Sequence, residues 1–154
     1  MSEKLIVWLL VGAPGCGKTT FGKTLTEGDP RIVRLCPDEF RAKFGWGEGD
    51  QSVSAVAFAE TRRALGEVLD AGKCAVIDAT NMYRKSRKDF VNIARGRGAG
   101  IHAYVFERTK EVLMRQIAKR VAEGGRAVPE DVVDRMLERY QRPDETEFDK
   151  VTFV

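Results

Sequence analysis

Leu5-Ile-Val-Trp-Leu-Leu-Val11 followed by Gly12-Ala-Pro-Gly-Cys-Gly-Lys-Thr19 decides the fold of this chain. The first half is an unbroken apolar run that reads as a buried strand. The second half matches G-x-x-x-x-G-K-[ST], and a helix-compatible segment, Lys18 to Thr26, follows it. Strand, glycine-rich turn and helix in that order make a P-loop. Its glycines let the backbone curl so that N–H groups point at phosphate oxygens, and the helix adds its positive end. Gly12, Ala13, Pro14, Gly15, Cys16, Gly17, Lys18, Thr19 and Thr20 are therefore the expected triphosphate-binding residues. Lys18 is expected to reach the β- and γ-phosphates, and Thr19 to hold Mg²⁺ through its hydroxyl. The loop is blind to the base, so ATP is the default donor and GTP stays open.

Outward from this motif, apolar runs alternate with helix-period segments. Strands are expected at Leu5–Val11, Arg31–Cys36, Cys74–Asp78, Ile101–Phe106 and Val151–Val154. Helices are expected at Lys18–Thr26, Glu39–Phe44, Ser52–Ala71, Lys85–Arg97, Lys110–Glu123 and Pro129–Gln141. Such alternation implies an α/β fold with a parallel sheet covered on both faces. Ligands then bind beyond the carboxyl ends of the strands. The 154 residues are expected to form a single domain.

Composition narrows the setting. The apolar fraction is 43% and the charged fraction 32%, with no run of membrane-spanning length. Cys16, Cys36 and Cys74 are far apart and form no metal pattern, so a reduced, cytoplasmic protein is expected. His102 is the only histidine and alternates with apolar neighbours, which suits a structural place. The net charge of +3 is too small to demand nucleic acid. Arg84, Lys85, Arg87 and Lys88 cluster, as a solvated helix face would.

The residues just after the strands carry the chemistry. Asp38 suits either a helix N-cap or a general base for an acceptor hydroxyl. Asp78, closing an apolar strand, suits a carboxylate near Mg²⁺, with Thr80 and Asn81 then facing the acceptor. Arg120 lies near the apolar face of Val112, Leu113, Ile117 and Val121, where a guanidinium calls for an anion. Arg115 and Lys119 point roughly the other way. Gly124-Gly-Arg126 reads as a flexible turn in a closing lid spanning about residues 115–128. Cys16 is expected to be a Ser-sized filler of the loop, though the converging N–H groups favour its thiolate and would make it a probe of the loop.

Together, Gly12–Thr19, Asp38-Glu-Phe-Arg41, Asp78-Ala-Thr-Asn81 with Arg87, the lid arginines and Ala127-Val-Pro129 resemble one family. The chain is similar, from Lys4 to Tyr140, to the kinase domain of the polynucleotide 5′-kinases of phage and bacterial end-repair enzymes. More broadly it resembles zeta-toxin-like P-loop kinases. The resemblance implies an adenylate-kinase-like phosphotransferase with a five-stranded sheet of order 2-3-1-4-5. It implies that Asp38 is the general base and that Lys18 and Arg120 stabilise the transferred phosphoryl group. It places Arg41 on a phosphate of the acceptor, Val128 against the acceptor base, and Arg87, Thr80 and Asn81 on the acceptor side. Gln116 stands where family members carry another lid arginine, which makes Arg126 the candidate second one. The Asp-x-Asp-x-Thr signature of an accompanying phosphatase is absent, so the kinase half alone is expected. The implied partners are DNA or RNA and a nucleoside triphosphate, with no membrane. A hydroxymethyl-pyrimidine base in DNA, or a nucleoside, sugar or antibiotic, is the alternative acceptor.

Overall fold

A computed structural model describes residues 4–43 and 54–154. Five parallel strands form one sheet, in the spatial order β2-β3-β1-β4-β5. The strands are β1 (Ile6–Val11), β2 (Ile32–Leu35), β3 (Cys74–Asp78), β4 (Gly100–Val105) and β5 (Lys150–Phe153). Between them run α1 (Lys18–Gly28), α2 (Pro37–Lys43), α3 (Ser54–Asp70), α4 (Arg84–Gly96), α5 (Lys110–Ala122) and α6 (Glu130–Arg139). Gly45-Trp-Gly-Glu-Gly49, whose glycines read as a loop in the sequence, lies outside the described residues, as does the side chain of Arg41.

The central strand shows why the sheet is covered twice. Successive side chains of a strand point to opposite faces. Val7, Leu9 and Val11 enter a core with Leu65 of α3, Ile77 of β3 and Phe90 of α4. Leu10 enters a second core with Val76, Leu113 and Ile117 of α5 and Val133 of α6. All four of these β1 side chains are fully buried. An amphipathic alternation would have left one face wet; the unbroken apolar run does not.

Several boundaries differ from the pattern-based expectation for identifiable reasons. Pro37 occupies the first position of α2, where a missing N–H costs nothing, and the N–H groups of Glu39 and Phe40 bond to the Cys36 carbonyl. Asp38 is thus inside the first turn of α2, not its cap. Pro129, expected inside the last helix, is instead its cap, with extended ψ of 147°. Val121, expected on the apolar face of α5, is 43% exposed, because that face ends at Ile117. The segment 140–149 contributes Phe148 to the first core and closes on β4, where Asp149 accepts a bond from the Ile101 N–H at 2.9 Å.

Candidate active site

The P-loop lies between β1 and α1 and is anchored from behind. The Gly12 N–H donates to the Thr80 carbonyl at 2.9 Å. Gly15 has φ of 87°, and a Cβ there would stand 2.9 Å from the Leu113 carbonyl oxygen, so the loop packs directly on α5. Gly17 caps α1 in the left-handed region and supplies no side-chain acceptor. The first intrahelical N–H bond is that of Phe21 to Gly17, at 3.3 Å. The preceding N–H groups of α1 are thus left for a ligand. Lys18 is 9% exposed and, among the described residues, makes no ion pair. A nearly buried ammonium beside an uncapped helix start is a cradle for an anion. The residues present therefore fit a nucleotide's phosphates. Cys16 is buried within this loop, which suits a small filler better than an accessible thiol. Burial also pushes the Cys36 thiol above the ordinary thiol range, with the Asp78 carboxylate adding to it.

Two clefts meet above the loop. The donor-side cleft, about 450 Å³, is lined by Gly15, Gly17, Thr20, Gln116, Lys119 and Arg120. Lys119 therefore faces the loop rather than away from it. The second cleft, about 420 Å³, is lined by Thr19, Arg34, Asp38, Arg120, Arg126 and Val128. Arg120 borders both, and Arg115 borders neither. Arg120 is exposed rather than set against the apolar face, and among the described residues it makes no ion pair. Across the second cleft, Asp38 Oδ1 lies 3.9 Å from a guanidinium nitrogen of Arg126.

The turn that carries Arg126 is not the loose hinge its glycines suggest. Gly124 is left-handed, with φ of 89°. Its N–H bonds to the Val121 carbonyl at 3.0 Å, and the Gly125 N–H bonds to the Arg120 carbonyl at 2.6 Å. This is a Schellman cap of α5. A Cβ on Gly125 would stand 2.8 Å from the Arg120 carbonyl oxygen. The glycines fix the direction in which the chain leaves α5, and with it the position of Arg126.

Two expected site residues serve the framework instead. Arg87 is fully buried. Its Nε and one terminal nitrogen donate to both carboxylate oxygens of Glu147 at 2.9 and 3.0 Å, and the other donates to the Asn81 carbonyl at 2.9 Å. No face of its guanidinium remains for an acceptor. A signal was present: Arg87 stands in helical register with Phe90, Val91 and Ala94, the buried stripe of α4. Asn81 is 2% exposed, adopts φ of 49°, and donates through Nδ2 to the Leu10 carbonyl at 2.9 Å. It holds the end of β1 rather than facing the acceptor. Between them and β3, Thr80 anchors Gly12 through its backbone carbonyl, a bond that leaves its hydroxyl unassigned.

Asp78 is 3% exposed, and its Oδ2 accepts from Nε and Nη2 of Arg34 at 2.9 and 2.7 Å. The remaining terminal nitrogen of Arg34 donates to Glu39 at 2.6 Å. Burial opposes the charge on Arg34, yet Glu39 and Asp78 hold its pKa above the ordinary value. The expectation of Asp78 as a metal-facing carboxylate is thus corrected in part, since one of its oxygens belongs to Arg34. Among the described residues no three acidic, His or Cys side chains cluster as a metal site. The Arg34 link was missed in the sequence because Arg34 and Asp78 are 44 residues apart.

A family model described as AAA domain, AAA_33, matches residues 7–143. The chain belongs to that family. This AAA domain has the loop and the sheet order of a P-loop kinase. It is 26% identical over 140 residues to the L-seryl-tRNA(Sec) kinase of Methanococcus maripaludis, covering 88% of this chain and 52% of that protein. It is 31% identical over 157 residues to the transcription factor bHLH140 of Arabidopsis thaliana, covering 97% of this chain but 16% of that protein. The domain thus spans about half or less of these curated relatives. Among solved structures it is similar to a chain of the Pnkp1/Rnl/Hen1 RNA repair complex. There the TM-score is 0.80 at 25% identity, over 90% of this chain and 45% of that one. A gluconokinase from Sinorhizobium meliloti 1021 shares the fold, with a TM-score of 0.60 at 18% identity over 98% of this chain and 81% of that one. Among the described residues no helix is long and apolar enough to cross a membrane.

Proposed function

We propose that this domain is an ATP-dependent, Mg²⁺-assisted polynucleotide kinase whose simplest acceptor is a 5′-hydroxyl end of DNA or RNA. The single observation that carries the reading is the placement of Asp38 and Arg126 across an open, polar cleft that Arg120 joins to the P-loop. The acceptor oxygen attacks the γ-phosphorus, its proton passes to the Asp38 carboxylate, and the bond to the β-phosphate oxygen breaks. Lys18 and Arg120 offset the charge that spreads over the transferred group. Thr19, with the free oxygen of Asp78, would hold Mg²⁺, which would supply further charge neutralisation on the phosphates. Val128 offers an apolar wall to the acceptor base, and Arg41 grips a phosphate of the acceptor strand. The RNA repair complex named above supports a nucleic-acid acceptor. The gluconokinase likeness is one of fold.

The test is a panel of acceptors with γ-labelled ATP: 5′-hydroxyl oligonucleotides of DNA and RNA, DNA bearing hydroxymethyl-pyrimidine, nucleosides and sugars. Label is expected on the 5′ ends of oligonucleotides, and Asp38→Asn should lower that turnover by roughly a hundredfold or more while triphosphate binding persists. Label confined to sugars or nucleosides would overturn the polynucleotide reading.

A further inference from the structure

A further groove, about 530 Å³, lies on the flank formed by α3, the start of α4 and the end of α6. Two half-buried aromatic side chains, Phe58 and Tyr83, form its apolar wall. Arg62, Lys85 and Arg139 supply three cations, against one carboxylate, Asp89. Among the described residues none of these three cations makes an ion pair. Their neighbours differ in this respect: Arg84 is paired with Asp144, Arg87 with Glu147 and Arg97 with Asp70. The basic cluster seen in the sequence is thus divided, part neutralised by the chain itself and part left facing this groove.

The groove lies, like the P-loop, beyond the carboxyl ends of the strands. Tyr83 follows β3 and caps α4, two residues beyond Asn81, which holds the end of β1. Helix α6 links the two sites. It begins after Val128, on the second cleft, and ends at Arg139, in the groove. Ten helical residues span about 15 Å, which a stacked strand covers in roughly four nucleotides.

Aromatic wall, unpaired cations and alignment with the acceptor cleft fit one class of ligand. Sequence-tolerant binding of a single strand combines base stacking on aromatic rings with cations along the phosphates. We infer that the Phe58–Tyr83 groove is a second nucleic-acid subsite, which takes the part of a single-stranded acceptor lying several nucleotides from the reacting 5′ end. Tyr83 stacks on a base, and Lys85 and Arg139 contact phosphates. This inference rests on the polynucleotide reading proposed above and predicts that acceptor length matters to it.

The test is fluorescence anisotropy of labelled single-stranded oligonucleotides of two and twelve nucleotides, across a salt series, beside phosphorylation of the unlabelled strands. Tyr83→Ala should weaken binding of the longer strand roughly 5- to 100-fold, the range expected for one lost stacking contact. Tyr83→Phe should restore it, and the two-nucleotide acceptor should be unaffected. Lys85→Ala and Arg139→Ala, both at exposed positions, should each lower the salt slope for the longer strand by about 0.7. They carry the test if Tyr83→Ala fails to fold. Unchanged affinity and salt slope in all variants, with the longer strand still phosphorylated, would overturn the subsite and leave the kinase reading standing. Binding through Tyr83 without phosphorylation of any oligonucleotide would keep the subsite and remove the kinase reading. Absence of oligonucleotide binding by the wild-type protein would remove both.

Discussion

Two walls flank the P-loop, and each presents arginines that local sequence makes look alike. The wall behind the loop, residues 80–87 with the strap 141–149, spends its arginine internally: Arg87 is fully buried and bidentate on Glu147. The lid wall, α5 and its Schellman turn, holds Arg120 in the open, bordering both clefts and making no ion pair among the described residues. The difference teaches how to sort a kinase's cations. A guanidinium whose donors are all satisfied by protein oxygens holds the frame. One left exposed where two clefts meet is available for a phosphate.

The sharpest way to break this contrast is at Arg87. Arg87→Met removes one partner of a buried pair and leaves Glu147 only the longer, exposed contact to Arg84 at 3.8 Å, so urea unfolding should show a loss of about 3–5 kcal/mol. If stability were unchanged and only the acceptor KM rose, Arg87 would belong with the working residues and the contrast would fail. Lys18→Ala, on the floor shared by both walls, should leave folding intact and lower turnover by about 10²–10³-fold. Steady-state assays together with a thermal melt check this, and activity within tenfold of wild type would remove the P-loop assignment. Arg120→Lys should lower turnover roughly 10- to 100-fold with an unchanged melt, since an ammonium cannot make the planar two-pronged contact. Arg115→Ala should have much less effect. The reverse ranking would mean that the lid helix presents a different face to the phosphates.

The smallest expected effect lies on β4, away from both walls. Burial lowers the His102 pKa below its ordinary value, partly offset by Asp149. The folded state therefore binds this proton less readily than the unfolded chain. The associated stability is present above the unfolded pKa, about 6.5, and is lost as pH falls through the folded value. Melting temperatures between pH 7.5 and 5 should fall less steeply in His102→Gln than in the wild type. Identical slopes would show that the imidazole is not titrating in this window.

Much of the architecture was legible without coordinates because it is local. The apolar run at Leu5–Val11 and the spacing of Gly12, Gly15, Gly17 and Lys18 specify strand, turn and helix within a few residues of one another. Apolar runs and period-3.6 patterns likewise located the strands and helices, to within two residues at each end that falls among the described residues. The strand order came with the family resemblance, since periodicity says which face is buried and nothing about which strand is the neighbour.

Local sequence therefore specifies the phosphate-binding loop and the α/β alternation, both set by backbone geometry and hydrophobic burial over short stretches. The tertiary structure alone decided the employment of the charged residues. Arg34 meets Asp78 across 44 positions and Arg87 meets Glu147 across 60, distances over which no local pattern carries information. The Glu147 contact withdraws Arg87 from the acceptor side, as the Leu10 carbonyl does Asn81, while Arg120 stays in the cleft. A buried charge must be paired to stay buried, so the identity of its partner, which only the fold supplies, separates structural arginines from those free to hold a phosphate.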